Sequence, residues 1–413
     1  MRSDVAVLGA GIVGVCVALH LQARGRSVAL LDRRGAAEET SYGNAGLIQR
    51  EGVYPYGFPH DFGALLRYGL NRTIDAHYHP SALLELAPFL WKYWHHSRAA
   101  RHAEIARLYE KLIRHCVSEH EALAAQAGAG GLLRRGGWMK VFRTGRERDK
   151  RFDEAARWQH EFGINYRTLD ARALQEAEPH LAPVLVGALH YTDPVSVSDP
   201  QALALAYLRL FEQRGGRFVQ GNAASLEAEQ GGWRLRTVAG PLQAGAAVVA
   251  LGPWADVVTR ALGYDLPLAV KRGYHMHYRA AGQARLNTPT LDTERGYFLA
   301  PMQRGIRLTT GAEFARRDAI RTPVQLGRAE PIARDLFPLA ERLDTEPWMG
   351  ARPCTPDMMP IIGKAPRHAN LWFAFGHAHH GLTLGPVTGR MIGEMVTGET
   401  PLVDPAPYRA DRF

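Results

Sequence analysis

Residues 5–32, VAVLGAGIVGVCVALHLQARGRSVALLD, restrict the fold more than any other stretch of this chain. A short apolar run leads into Gly9-x-Gly11-x-x-Gly14. An apolar helical stretch follows, then Gly25, a second apolar run and the acidic Asp32. The pattern predicts a strand–turn–helix–strand unit with glycines where a backbone must come close to a pyrophosphate. A helix starting near Gly11 would aim its unpaired N–H groups and positive dipole end at those phosphates. Asp32, with Arg33 beside it, would close the second strand, where a carboxylate accepts hydrogen bonds from a ribose 2′-OH. The bland alternative is a glycine turn that merely packs a helix on a sheet. The strand before it and the helix after it favour the dinucleotide.

The 413 residues suffice for two domains with a large core. A hydrophobic fraction of 46% beside 22% charged residues is ordinary for a globular protein, and no apolar run is long enough to span a bilayer. The apolar N-terminus is spent on the first strand, so the chain is expected to stay in the cytoplasm. Cys16, Cys116 and Cys354 have no paired spacing and predict neither disulfides nor a metal site. The net charge of +9 comes almost wholly from arginine, since only six of the 50 basic residues are lysine. Those charges are scattered without aromatic interleaving, which argues against nucleic acid. They would favour anionic headgroups, so a peripheral contact at the inner membrane face is a secondary expectation.

Periodicity predicts long helices over 82–127, where Trp91, Tyr93, Trp94, His95 and His96 read either as a lid surface or as helix core. A strand at 138–144, a helix over 147–163, a helix opened by Asp199-Pro200 and a buried strand running into Gly252 follow. Alternation over 264–315 predicts an antiparallel sheet, and the end of the chain returns to strand, glycine turn and helix. The expected fold is α/β: a Rossmann-like nucleotide-binding domain formed by 1–52, 148–262 and 342–413. An inserted α+β substrate domain built on an antiparallel sheet would take 53–147 and 263–341.

Several ordered motifs then match one family. They are the N-terminal fingerprint, the 41–46 loop SYGNAG, the VKRGY turn at 270–274 and YFLAP at 297–301. GARPCTPD at 350–357 and GHAHHG at 376–381 complete the set. Together the chain resembles the FAD-dependent D-amino acid oxidase superfamily, and most of all its bacterial D-amino acid dehydrogenase branch of the small-subunit type. The resemblance covers essentially the whole chain. It implies FAD of the glutathione-reductase type of binding domain, held by Gly9, Gly11, Gly14, Asp32, Arg33, Ser41, Asn44, Ala45, Gly46, Gly252, Gly350, Gly376, His377 and Gly381.

It also implies oxidative deamination of a D-amino acid to a 2-oxo acid and ammonia. Electrons would go on to a quinone or another carrier. The alternative is an oxidase or N-demethylase for glycine, sarcosine or a cyclic imino acid, with O2 as acceptor. An electron-transfer or assembly flavoprotein without its own substrate is the reading from another class.

Arg352 matches the family's Gly-x-Arg-Pro arginine that grips the substrate carboxylate, a task suited to a planar guanidinium with parallel donors. The alternative for Arg352 is a structural ion pair with Asp357 or another carboxylate. Tyr297 is expected to hydrogen-bond the same carboxylate or wall the pocket. Tyr274, His275 and His380 are candidates for the substrate pocket, with a core role the alternative for the first two. His377 and His380 would mainly touch the cofactor rather than move protons. Gly350 stands where sarcosine oxidases carry their flavin-linking cysteine, so FAD is expected to be non-covalent. Thr309 loosely matches the lysine with which those oxidases promote reaction with oxygen, which favours a dehydrogenase.

Overall fold

The computed structural model describes all 413 residues. Its first sheet is assembled from distant parts of the chain. Arg2–Leu8 lies between Val28–Asp32 and Gly240–Val249, parallel to both, and Arg217–Glu229 and Leu371–Phe375 extend the parallel sheet on either side. Ile361–Lys364 adds an antiparallel edge, and Gly232–Thr237 pairs antiparallel with both Arg217–Glu229 and Gly240–Val249. The central strands are apolar on both faces because helices cover one side and other chain segments the other.

Two helices fix the geometry at the head of this sheet. Ile12–Gln22, which follows the fingerprint turn, packs against Gly381–Thr397 from the end of the chain. Contact is close because a Cβ on Gly389 would come within 2.6 Å of the Cys16 backbone. Gly398 then ends the second helix in the left-handed region, with φ +79°.

The second sheet is mixed and has eleven strands. Its axis is Ala269–Ala280, which pairs antiparallel with Gly305–Thr309 on one side and Trp348–Cys354 on the other. The expected domain division differs here from the observed one. Tyr166–Asp170 and Gly187–Tyr191 join this second sheet through Trp138–Phe142, although 148–262 was assigned to the nucleotide domain. Trp348–Cys354 also belongs to the second sheet, so 342–354 supplies the substrate side and the chain recrosses only afterwards. Conversely, Ala99–Ile113 and Cys116–Gln126 bury Ile105, Tyr109, Leu112 and Leu123 in the core of the nucleotide domain. Pro88 sits inside the Leu83–His96 helix. In that helix Tyr93 is buried core while Trp91 is exposed.

A cavity between two sheets

A single cavity of about 1040 Å³ runs from the fingerprint turn to the second sheet. At the first end its walls are mostly backbone. Gly9 has φ +106°, and an added Cβ would meet the Ala250 carbonyl at 2.5 Å. Gly14 leaves room for the Gly9 carbonyl, which a Cβ would meet at 1.7 Å. Gly11 faces the Ser41 hydroxyl, which accepts a hydrogen bond from the Ile12 N–H at 2.9 Å. Asp32 ends its strand as expected and accepts from the Ala10 N–H at 2.8 Å and the Arg34 N–H at 3.1 Å. Two backbone bonds thus fix the carboxylate on the cavity wall with lone pairs to spare. Arg33 lies 4.5 Å from the Trp254 ring and pairs with Glu39, while Gly252 completes this end at φ +54°.

The 41–46 loop bridges the two domains. Asn44 Oδ1 accepts the Gly46 N–H at 2.9 Å, and Gly46 sits at φ +74° against the Val197 carbonyl, a turn that a Cβ would obstruct. Gly43, Asn44 and Ala45 line the cavity, whereas Gly46 stands behind them. Arg307, which sequence reasoning overlooked, clamps the loop from the second sheet. Its Nη1 donates to the Asn44 carbonyl and its Nε to His277 at 2.9 Å. Thr40 adds a bond to the Ala351 carbonyl at 2.8 Å.

At the second end, register decides which side chains enter. Cross-strand partners point to the same face of a sheet. The pairs His275–Trp348, Gly273–Gly350 and Lys271–Arg352 therefore form successive rows. The glycine pair is a notch: a Cβ on Gly273 would meet Arg352 Nη2 at 2.5 Å, and one on Gly350 would meet the Trp348 ring at 2.0 Å. Arg352 extends across this notch, and its Nη1 donates to the Gly311 carbonyl at 3.0 Å. Asp357 is not its partner; Arg412 holds that carboxylate at 2.8 Å. The structural ion-pair reading of Arg352 therefore fails. Burial draws the guanidinium below its ordinary range, and only Cys354 and Tyr56 act against that shift.

Of the expected pocket residues, Tyr274 and Tyr297 line the cavity with their hydroxyls bonded elsewhere, and His275 and His380 lie off its wall. Tyr297 is buried among the core side chains of the second domain, and its hydroxyl donates to the Ile332 carbonyl at 3.4 Å. Strand alternation turns its neighbour Phe298 the other way. Tyr274 gives its hydroxyl to Glu313 at 3.0 Å and accepts the Thr322 N–H. His275 is stacked behind Trp348 at 4.7 Å, and burial pushes its pKa down to about 2. His380 bonds Tyr109 through Nδ1 at 2.8 Å and is absent from the cavity wall. The wall is formed instead by His379, missed from sequence and held neutral by burial, with His380, Arg352 and Lys271 adding to the shift. His377 lines the cavity and bonds Thr388 at 2.9 Å; its pKa falls to about 3 through burial. Gly376 shapes the turn at φ +82° while Gly381 reaches the wall. The nearest arrangement to a metal site, His77, His79 and Glu313, already has its carboxylate committed to Arg272 at 2.6 Å.

The profile of the FAD dependent oxidoreductase family matches residues 4–395. The chain is 31% identical to a D-amino acid dehydrogenase of a Methylobacterium species, with 99% of each chain covered. It is 28% identical to a D-amino-acid oxidase of Bradyrhizobium diazoefficiens, over 99% of this chain and 98% of the other. Among solved structures, glycine oxidase from Geobacillus kaustophilus superposes with a TM-score of 0.76 at 23% identity, covering 100% of this chain and 99% of the other.

Proposed function

Because the chain belongs to the FAD-dependent oxidoreductase family, we propose that it oxidises the Cα–N bond of an amino acid, with a 2-oxo acid and ammonia as products. The cofactor is FAD, and the glycine turn fits it: Gly9 and Gly11 line the cavity where the helix Ile12–Gln22 begins, and the missing Cβ atoms at Gly9 and Gly14 let that turn close on Ala250 and on itself. Bound there, FAD supplies a two-electron acceptor for the substrate hydride.

The observation that carries the reading is Arg352. It is a guanidinium without a carboxylate partner, in the same cavity as the glycine turn. Its remaining donors suit a substrate carboxylate, and the Gly273–Gly350 notch is what lets the guanidinium lie across the strand on the cavity wall. Fixing the carboxylate orients the Cα–H by position alone, so no side-chain base is required for that step. His379, kept neutral on the same wall, can accept a hydrogen bond from a substrate amine without repelling it. The D-configuration is part of this proposal and is supported by the names of the relatives.

We also place the electrons with a lipid-soluble quinone or another carrier. Thr309 brings a hydroxyl rather than a cation to the cavity. The helix Phe62–Gly69 lines the cavity with Leu65 and Tyr68 and leaves Phe62 and Leu66 exposed, an apolar lip suited to such an acceptor. No helix of the structure is long and apolar enough to cross a membrane, so contact with one would be peripheral.

Anaerobic mixing with D- and L-amino acids, N-methyl amino acids and cyclic imino acids tests the reading. Bleaching of the flavin by D-amino acids is expected, and no bleaching by any member of the panel would overturn it. Comparing quinone or dye reduction with peroxide release then separates the dehydrogenase from the oxidase.

A further inference from the structure

Arg352 is not the only cation at its end of the cavity. Lys271, its register partner on the neighbouring strand, faces the same space and is buried. Its Nζ lies 3.9 Å from the Tyr93 ring centroid, 5.3 Å from that of Phe314 and 3.8 Å from Met358 Sδ. The titratable groups acting on it are the Arg352 guanidinium and the Cys354 thiol, which burial keeps protonated, and no carboxylate is among them. Of the acidic residues on the cavity wall, Asp32, Glu38 and Glu39 stand at the fingerprint end, and Asp75 is bonded by Tyr68 at 2.6 Å.

Two cations without anions in one apolar recess are costly unless a ligand neutralises them. A monocarboxylic amino acid would neutralise one. A box of two aromatic rings and a thioether holds an ammonium ion better than a neutral amine, so Lys271 is built to stay charged rather than to act as a base. Burial and the Arg352 charge lower its pKa only to about 8. As cross-strand partners the two stems start about 5 Å apart at Cβ, so both cations open onto one recess that a short dicarboxylate can enter.

The geometry points to Lys271 as the reader of a second carboxylate, making the substrate a dicarboxylic amino acid of the aspartate or glutamate type. This rests on the amino-acid reading proposed above, and it deepens that reading by naming a substrate class.

The test uses flavin-loaded enzyme and compares near-isosteric substrates under anaerobic conditions: D-aspartate against D-asparagine, and D-glutamate against D-glutamine. The wild type is expected to be reduced at least about tenfold more efficiently by the acids, and Lys271→Met to lose about 100-fold on the acids while the amides change less than about threefold. Lys271→Arg should recover part of the loss. Succinate should perturb the wild-type flavin spectrum at lower concentration than succinamate, a measurement that needs no variant. Equal efficiency for acids and amides, equal losses across both in Lys271→Met, or a defect confined to reoxidation by O2 would each overturn the inference while leaving amino-acid oxidation intact. Flavin reduction by no amino or imino acid at all would instead remove the parent reading, and this inference with it.

Discussion

The two ends of the cavity are built from different materials. The fingerprint end is backbone: positive φ angles, absent Cβ atoms, and N–H groups positioned by neighbours in sequence. The far end is side chains brought together from Ala269–Ala280, Trp348–Cys354 and the tail before Gly381–Thr397. A backbone site tolerates almost no substitution but says little about the ligand beyond its phosphates. A side-chain site can be altered one group at a time, and each group states what it recognises.

The largest expected effect is therefore at the first end. Gly14→Val would drive two methyl groups and a Cβ into the space of the Gly9 carbonyl, 1.7 Å from the Cβ position. The turn has no flexible neighbour able to yield. Purified protein should carry less than about a tenth of the wild-type flavin or fail to accumulate, as absorbance at the flavin band against protein will report. Normal flavin content in Gly14→Val would break the contrast between the two ends.

Arg352→Ala comes next. Its expected signature is the opposite one: full flavin content with kcat/KM lower by about 10³-fold, most of it in KM, because a charge-assisted fork to a carboxylate is lost. Loss of flavin instead would move Arg352 from the substrate to the cofactor.

The contrast also explains what could be read from sequence. The fingerprint, Asp32 and the last helix are set by local spacing, and each lies where the sequence predicts it. The far end depends on sheet register between strands some eighty residues apart, which no local pattern encodes. Lys271 and His379 went unnoticed for this reason. Tyr297 reaches the cavity wall, but its hydroxyl is committed to the Ile332 carbonyl, which strand alternation alone does not reveal. His380 and His379 were confused by the turn that starts the final helix, where one residue of rotation exchanges wall for core. The segment holding Tyr166–Asp170 and Gly187–Tyr191 reads as part of the nucleotide domain because Trp138–Phe142, which joins the pair to the second sheet through Gly187–Tyr191, precedes an intervening helix. Arg352, Gly350, His377 and Gly381 were legible at this end, through family resemblance rather than through physics.

Asp357 sharpens the comparison from the side of stability. Its carboxylate is paired with Arg412 and buried, and it stands only five residues from Arg352. Asp357→Asn should cost about 3 kcal/mol in denaturant unfolding by leaving Arg412 without its counter-ion, yet leave KM unchanged. A raised KM equal to that of Arg352→Ala would show that the two residues form one unit after all.

The smallest effect separates the two adjacent histidines. His380 is buried with a pKa near 3, against 6.5 for an unburied imidazole, through burial and the neighbouring His377. Below pH 6.5 the unfolded chain takes up a proton that the folded chain refuses, so this residue erodes stability as the pH falls toward 3 and adds no further loss below that. The slope is about 1.4 kcal/mol per pH unit for each such proton. His380→Asn keeps an acceptor for the Tyr109 hydroxyl but cannot titrate, so unfolding measured at pH 5 and 7 should lose one proton's worth of dependence. Its turnover should remain within about threefold of wild type, because His380 does not reach the cavity. His379→Asn should lose a proton's worth of dependence as well, because burial holds that imidazole neutral too, but its kcat/KM should fall by about tenfold or more. If the two variants exchanged these effects on turnover, the helix would begin with the other histidine facing the substrate.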